Sequence, residues 1–357
     1  MNSDNSNIFK KHHYLLSVLL VSTSIALIFH IIFYFYDVPI LEYFGRGGPG
    51  NNEAFGVFFD DFGQNPSFIF VGIAVLFYFV SFIPGLSEKL AKYRVLAAYV
   101  FFFAGFGYLF SISFKTFFAR PRPGDIIPLG GELPFVHAWE IGTESFDDAY
   151  HASFPSGHTF AASLLYSVPF LFLPMQDKKK KQVLFTISIS LVTIWCILMG
   201  AGRVHDNAHF PSDTLWSTYI GFMCAYVTYF FILKVEDQIE AGPWKDEWRD
   251  KSIPLIKRPS PLWAFSLLIT LVLMEAGCLV FAIGIKELLN AALNLNLPML
   301  TQYLADEGIT LSPYIVSAVL IGVGGIFIGM FLHLTKLNMA KRPSEVVKKN
   351  RASTNVV

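Results

Sequence analysis

Tyr93-Arg-Val-Leu-Ala-Ala-Tyr-Val-Phe-Phe-Phe-Ala-Gly-Phe-Gly-Tyr-Leu-Phe-Ser-Ile-Ser-Phe114 decides the fold. Between Arg94 and Lys115 no residue carries a charge, and as helix, at about 1.5 Å per residue, such a run is about the 30 Å depth of a bilayer's hydrocarbon core. Working outward, seven further stretches have this character: Tyr14–Tyr36, Ser67–Pro84, Ala152–Pro174, Val183–Gly200, Thr214–Leu233, Leu262–Ile285 and Leu311–His333. Over the 357 residues 54% are hydrophobic and only 15% charged, with a mean hydropathy of +0.49. A soluble domain carries about 25% charged residues. The expected fold is therefore all-α: a polytopic membrane protein with about eight transmembrane helices.

Sorting Lys and Arg by loop tests that count, because cytoplasmic loops carry the excess. With the N-terminus inside and strict alternation, the inside segments hold two before the first span, three around Lys89–Arg94, four in Lys178–Lys181, six between Lys234 and Arg258 and six from Lys336 onward. That is 21 of the 27, leaving Arg46, Lys115, Arg120, Arg122, Arg203 and Lys286 outside. The basic residues Lys10 and Lys11 precede an apolar run longer than the about 7–15 residues of a secretory signal, so it reads as a retained span. The expected organisation is a six-span core at 1–234, a cytoplasmic linker at 235–261 with Trp244 and Trp248, a two-span addition at 262–335 and a basic cytoplasmic tail at 336–357. The expected setting is a bacterial inner membrane, with both termini cytoplasmic and the loops that hold the other six basic residues facing the periplasm.

Acidic and basic residues both total 27, so no basic surplus points to nucleic acid. Cys196, Cys224 and Cys278 lie in apolar runs without disulfide or zinc spacing and read as small buried hydrophobes. The glycine-rich stretch Gly45–Asn52 lacks the Gly-Lys-Ser/Thr ending of a phosphate-binding loop and reads as a turn. No cluster with metal-ligand spacing occurs, so neither a metal nor another cofactor is expected.

Two outside loops gather groups suited to an anion. One runs from Lys115 through Arg120-Pro-Arg122-Pro123 and ends on Phe154-Pro-Ser156-Gly157-His158 at the fourth span; the other is Arg203-Val-His205-Asp-Asn-Ala-His209-Phe-Pro-Ser-Asp213. Phosphoryl transfer is chiefly electrostatic clamping plus in-line positioning. Lys115, Arg122 and Arg203 can supply the clamp, and Ser156 with the N–H groups around Gly157 would sit at a helix N-terminus, a ready anion site. One imidazole, His158 or His209, can attack phosphorus while the other protonates the departing oxygen. Asp213, four residues after His209, can reach that ring on a helical turn and fix its tautomer.

Lys115 with six residues before Arg122-Pro123, Pro155-Ser156-Gly157-His158, and Arg203 with five residues before His209 and three more before Asp213 together resemble the three-part signature of the type-2 phosphatidic acid phosphatase superfamily. The resemblance covers residues 14 to 234. It implies a six-helix core in which His209 forms a phosphohistidine, Asp213 orients it, His158 is the general acid, and Lys115, Arg122, Ser156, Gly157 and Arg203 bind phosphoryl oxygens. Gly202 departs from the pattern, which usually has serine there. Activity should then need no metal.

Arg120 falls inside the spacer and reads as an interfacial anchor, His205 as a polar-loop residue, and His137 and His151 as bystanders. Glu275, at mid-depth in the seventh span, needs a partner, a proton or a protein face. The six carboxylates Asp125, Glu132, Glu140, Glu144, Asp147 and Asp148 read as a solvated acidic loop. The leading expectation is an enzyme that removes phosphate from a lipid phosphate or pyrophosphate at the non-cytoplasmic face. Two alternatives use the same residues: a lipid-to-lipid phosphotransferase and a lipid-phosphate carrier.

Overall fold

A computed structural model describes residues 3–83, 86–142, 152–236, 239, 263–293, 300–306 and 308–339. Glu144, Asp147, Asp148 and His151, most of the expected linker and the expected tail beyond Met339 lie outside the described residues.

The described chain is helical, without a β-strand among the described residues. α1 is Ser3–Phe44, α2 Glu53–Phe62, α3 Asn65–Val80, α4 Ser87–Leu90 and α5 Arg94–Phe118. α6 (Gly157–Ser163), a 3-10 turn (Leu164–Tyr166) and α7 (Ser167–Phe170) follow, then α8 (Lys178–His205) and α9 (Pro211–Val227), extended by a π-helical turn to Ile232. α10 (Trp263–Leu293), α11 (Leu300–Asp306) and α12 (Pro313–Met339) complete the order. Six helices among the described residues are long and apolar enough to cross a bilayer: Leu15–Phe44, Glu53–Val80, Arg94–Asp125, Lys178–His205, Pro211–Ile232 and Pro313–Met330. The seventh expected span falls on the 31-residue α10. The fourth, 152–174, is not one helix: its 3-10 turn and Pro169, which has no N–H to give, divide it into short pieces.

α5 is the central helix. Of its apolar window 56% is buried, against 11% for α1 and 22% for α8, whose apolar residues face outward as lipid-facing surfaces do. Around it Tyr99 meets Tyr229 edge-on at 5.2 Å and Phe170 lies 5.3 Å from Tyr229, all three fully buried. At its N-terminal end Arg94 is wholly buried, its Nε donating to Ser81 Oγ at 3.0 Å and its guanidinium 4.2 Å from the Phe82 ring.

The C-terminal pair docks on this core through α10, which packs against α5. α10 and α12 approach closely where Gly277 meets Gly324: a Cβ on Gly324 would come within 2.6 Å of the Gly277 carbonyl oxygen. Small residues are what permit such approach in a membrane. Glu275 is buried, and neither carboxyl oxygen has a hydrogen-bond partner among the described residues. Cys196 and Cys224 are buried as expected, whereas Cys278, on α10, is exposed.

Candidate active site

The C-terminal ends of α1, α5 and α8 and the N-terminal ends of α6 and α9 meet on one face of the bundle, with α2 lying against α8. Two backbone reversals aim the side chains. Ala119 caps α5 in the left-handed region (φ 47°), its N–H bonding Lys115 O at 2.8 Å, and so turns Arg120 inward. Asn207 (φ 59°) ends α8 similarly, with the N–H of Ala208 returning to Arg203 O at 3.0 Å, which folds His209 back beneath Arg203.

His209 is buried, and its Nδ1 lies 2.8 Å from Ser153 O, 3.4 Å from Ser153 Oγ and 3.8 Å from Asp213 Oδ2. The short contact is to a carbonyl, which can only accept, so Nδ1 carries the proton and Nε2 keeps its lone pair. Burial pushes the imidazole down to about 3, with Lys115 and Arg203 acting in the same direction and Asp213 against them. His209 is therefore neutral at physiological pH. The expected orientation of this ring by Asp213 takes an indirect form. At 3.8 Å the carboxylate is beyond hydrogen-bond reach; Oδ2 instead accepts from Ser153 Oγ at 2.5 Å and Phe210 N at 2.9 Å, holding the two segments that flank the ring.

Behind Asp213 lies a buried ionic network that sequence reasoning missed. Arg120 is an interior residue with zero exposure, not an interfacial anchor. It donates through Nη1 to Asp213 Oδ1 at 2.5 Å and Ser212 Oγ at 2.9 Å, through Nη2 to Asp37 Oδ2 at 3.0 Å and through Nε to Val136 O at 2.7 Å, while its plane covers Phe210 at 4.0 Å. Asp37 Oδ1 accepts Ser212 N at 2.9 Å. A signal for it existed: Asp37 is an acid at the end of an otherwise uncharged span, a position that demands a partner.

Ser156 is the N-cap of α6, its Oγ accepting from Thr159 N at 3.4 Å and from Thr159 Oγ1 at 3.1 Å, which leaves its own hydroxyl proton to give. Gly157 opens the helix, and a Cβ there would lie 3.6 Å from Lys115 Cε. Lys115, nearly buried, donates to Ala152 O. The charge of Arg122 is felt at Lys115, His158 and Arg203. Arg203 is buried, with Nη1 on Asp60 Oδ1 and 3.4 Å from Asp206 Oδ2, while its Nε has no hydrogen-bond partner among the described residues. His158, one-third exposed, places Nε2 3.4 Å from the same Asp60 oxygen.

The residues expected at the site thus come together at one end of the bundle, with Lys115, Arg122 and Arg203 as its basic members and two imidazoles. A family model described as the PAP2 superfamily matches residues 95–237. That match supports the type-2 phosphatidic acid phosphatase superfamily for this segment. No curated protein and no solved structure matches the chain. The family match suggests a phosphatase of lipid or related phosphates, and the apolar helices a membrane protein. The PAP2 segment contains every expected site residue, whereas Asp37, Arg46 and Asp60 come from α1, α2 and the loop between them, outside it.

His205 is structural, as expected: its Nδ1 accepts Asn52 N at 3.0 Å and its ring lies between Phe44 and Phe55. The glycine-rich turn is tied to it, with Asn51 Nδ2 donating to Phe44 O and His205 O. His137 stacks on Tyr34 at 3.8 Å.

Proposed function

We propose that the protein removes a phosphate from a lipid phosphate or pyrophosphate through a phosphohistidine on His209, at the non-cytoplasmic face. The observation that carries this reading is the buried His209, whose Nδ1 lies 2.8 Å from Ser153 O, beside the buried Lys115 and Arg203. Nε2 attacks phosphorus, the bond to the leaving oxygen breaks, and His158 gives that oxygen its proton. Positive charge on the phosphorylated ring is eased by Ser153 O and by Asp213 beyond it. Water then attacks, His158 takes its proton, the P–N bond breaks and phosphate leaves. Lys115, Arg122, Arg203, the Ser156 hydroxyl and the N–H groups at the start of α6 neutralise the three equatorial oxygens.

A lipid substrate is supported by a groove of about 430 Å³ with almost wholly apolar walls between α1, α8 and α9. Val204, His205 and Pro211, chain neighbours of Arg203 and His209, form one end, and Phe29 and Phe33 the other. The aromatic residues at the end of α5 are an alternative tail wall, but Phe114 and Phe118 are engaged with Trp139, at 5.7 and 5.3 Å. Phosphate release from undecaprenyl pyrophosphate, phosphatidylglycerophosphate, phosphatidic acid and lipid A, each with and without a second lipid as acceptor, tests the proposal. Release into water from one of them supports it; transfer only to an acceptor lipid favours the phosphotransferase; no cleavage of any phosphate ester contradicts it.

A further inference from the structure

Four carboxylates lie around the cationic groups, and they are held differently: Asp206, 3.4 Å from Arg203 Nη1, is paired with Arg46 at 2.8 Å. Asp213 and Asp37 have no exposure and are fixed by Arg120, Ser153, Ser212 and backbone N–H groups. Asp60 is 41% exposed, and its partners among the described residues are Arg203 and His158, both through Oδ1. A guanidinium nitrogen on Asp60 Oδ1, with an imidazole nitrogen 3.4 Å from the same oxygen, marks a position that an oxygen of phosphate could occupy. α2 is seated to make this contact: a Cβ on Gly202 would collide with Phe59, next to Asp60, and one on Gly56 would lie 3.1 Å from Asp206 N.

We infer that Asp60 is a tethered competitor for the phosphoryl site, which substrate must displace and which returns to help expel product phosphate. The inference rests on the reading of Arg203 and His158 as phosphate-handling groups. An anion can take both partners only by sending the Asp60 side chain into water, which its exposure allows. A free phosphate has little with which to offset that exchange. A phosphate on a lipid adds the burial of its tail. Asp60 therefore weakens every phosphate by a similar factor, so that a ligand with a tail to bury is still held while product phosphate, which has none, leaves.

The test uses the full chain in detergent and inorganic phosphate as probe, with calorimetric binding and inhibition of turnover as readouts. Asp60→Asn should bind phosphate at least about fivefold more tightly, the scale of a hydrogen bond to a charged group. Asp60→Ser should do the same, so the result does not hang on one variant folding, and Asp60→Glu should stay near wild type. Orthovanadate should follow phosphate. Asp61→Asn removes the same charge one residue away and should change phosphate affinity by less than about twofold, since exposed charges are screened. Unchanged or weaker phosphate binding in folded Asp60→Asn and Asp60→Ser, or an equal gain in Asp61→Asn, overturns the inference. Phosphate binding that is insensitive to Arg203→Ala overturns the underlying reading of the site as well.

Discussion

Arg120 lies without exposure between Asp37 and Asp213, and a guanidinium survives there only because every face of it is answered. Removing one partner of such a network leaves uncompensated buried charge, which costs about 3–5 kcal/mol. Arg120→Ala should therefore lower the unfolding midpoint sharply and with it the activity, whereas His158→Ala, at a one-third exposed side chain, should fold normally and lose at least about 100-fold in turnover. Thermal unfolding and turnover measured on both variants separate the two roles. His209 adds a pH dependence. Its folded value of about 3 lies below the ordinary 6.5, so the unfolded chain takes up a proton first as pH falls. Stability from this group is intact above 6.5 and declines between 6.5 and 3. His209→Gln should flatten that part of the profile of unfolding midpoint against pH; an unchanged slope contradicts the neutral buried ring. At this scale the motif residues were legible, because their types and spacing state their chemistry. Arg120 was not, since a basic residue at a span end reads the same whether it faces lipid head groups or two acids supplied by helices far away in sequence.

Helices α2 and α8 meet where Gly202 leaves no room for a side chain. Gly202→Val should push α2 off α8 and cost about 1–3 kcal/mol, as overpacking generally does. It should also break the Asp60 contact with Arg203, so its phosphate affinity should move in the direction of Asp60→Asn. The departure from serine at Gly202 gave no hint of this, because the reason for the glycine lies in Phe59, 143 positions earlier. Apolar run length located α1, α3, α5, α8, α9, α10 and α12 well. It could not show that the fourth span is broken, since hydropathy records burial in lipid or protein and not the continuity of a hydrogen-bond ladder. α2 was missed for a related reason: its apolar residues are interrupted by Asp60 and Asp61, which shortened the expected second span to Ser67–Pro84.

For the molecule as a whole, the bundle places the site at the ends of five helices, and the charge sorting predicts which side of the membrane those ends face. In a background without Cys196, Cys224 and Cys278, a cysteine replacing Asp148 should react with an impermeant maleimide from outside and one replacing Lys179 should not; the reverse would put the site in the cytoplasm. Glycine contacts and packing on α5 make the α10–α12 pair part of the fold rather than an appendage, which composition alone could not establish. The central claim is covalent chemistry at His209. It is tested most directly by reacting His158→Ala with a phosphate ester whose leaving group needs no acid, such as p-nitrophenyl phosphate, and mapping the phosphorylated residue by mass spectrometry. The account predicts a phosphoryl group on His209 that accumulates because water attack has lost its base, and that disappears when His209 is also replaced by Ala. Phosphate on another residue, or leaving-group release undiminished in His209→Ala, would contradict it.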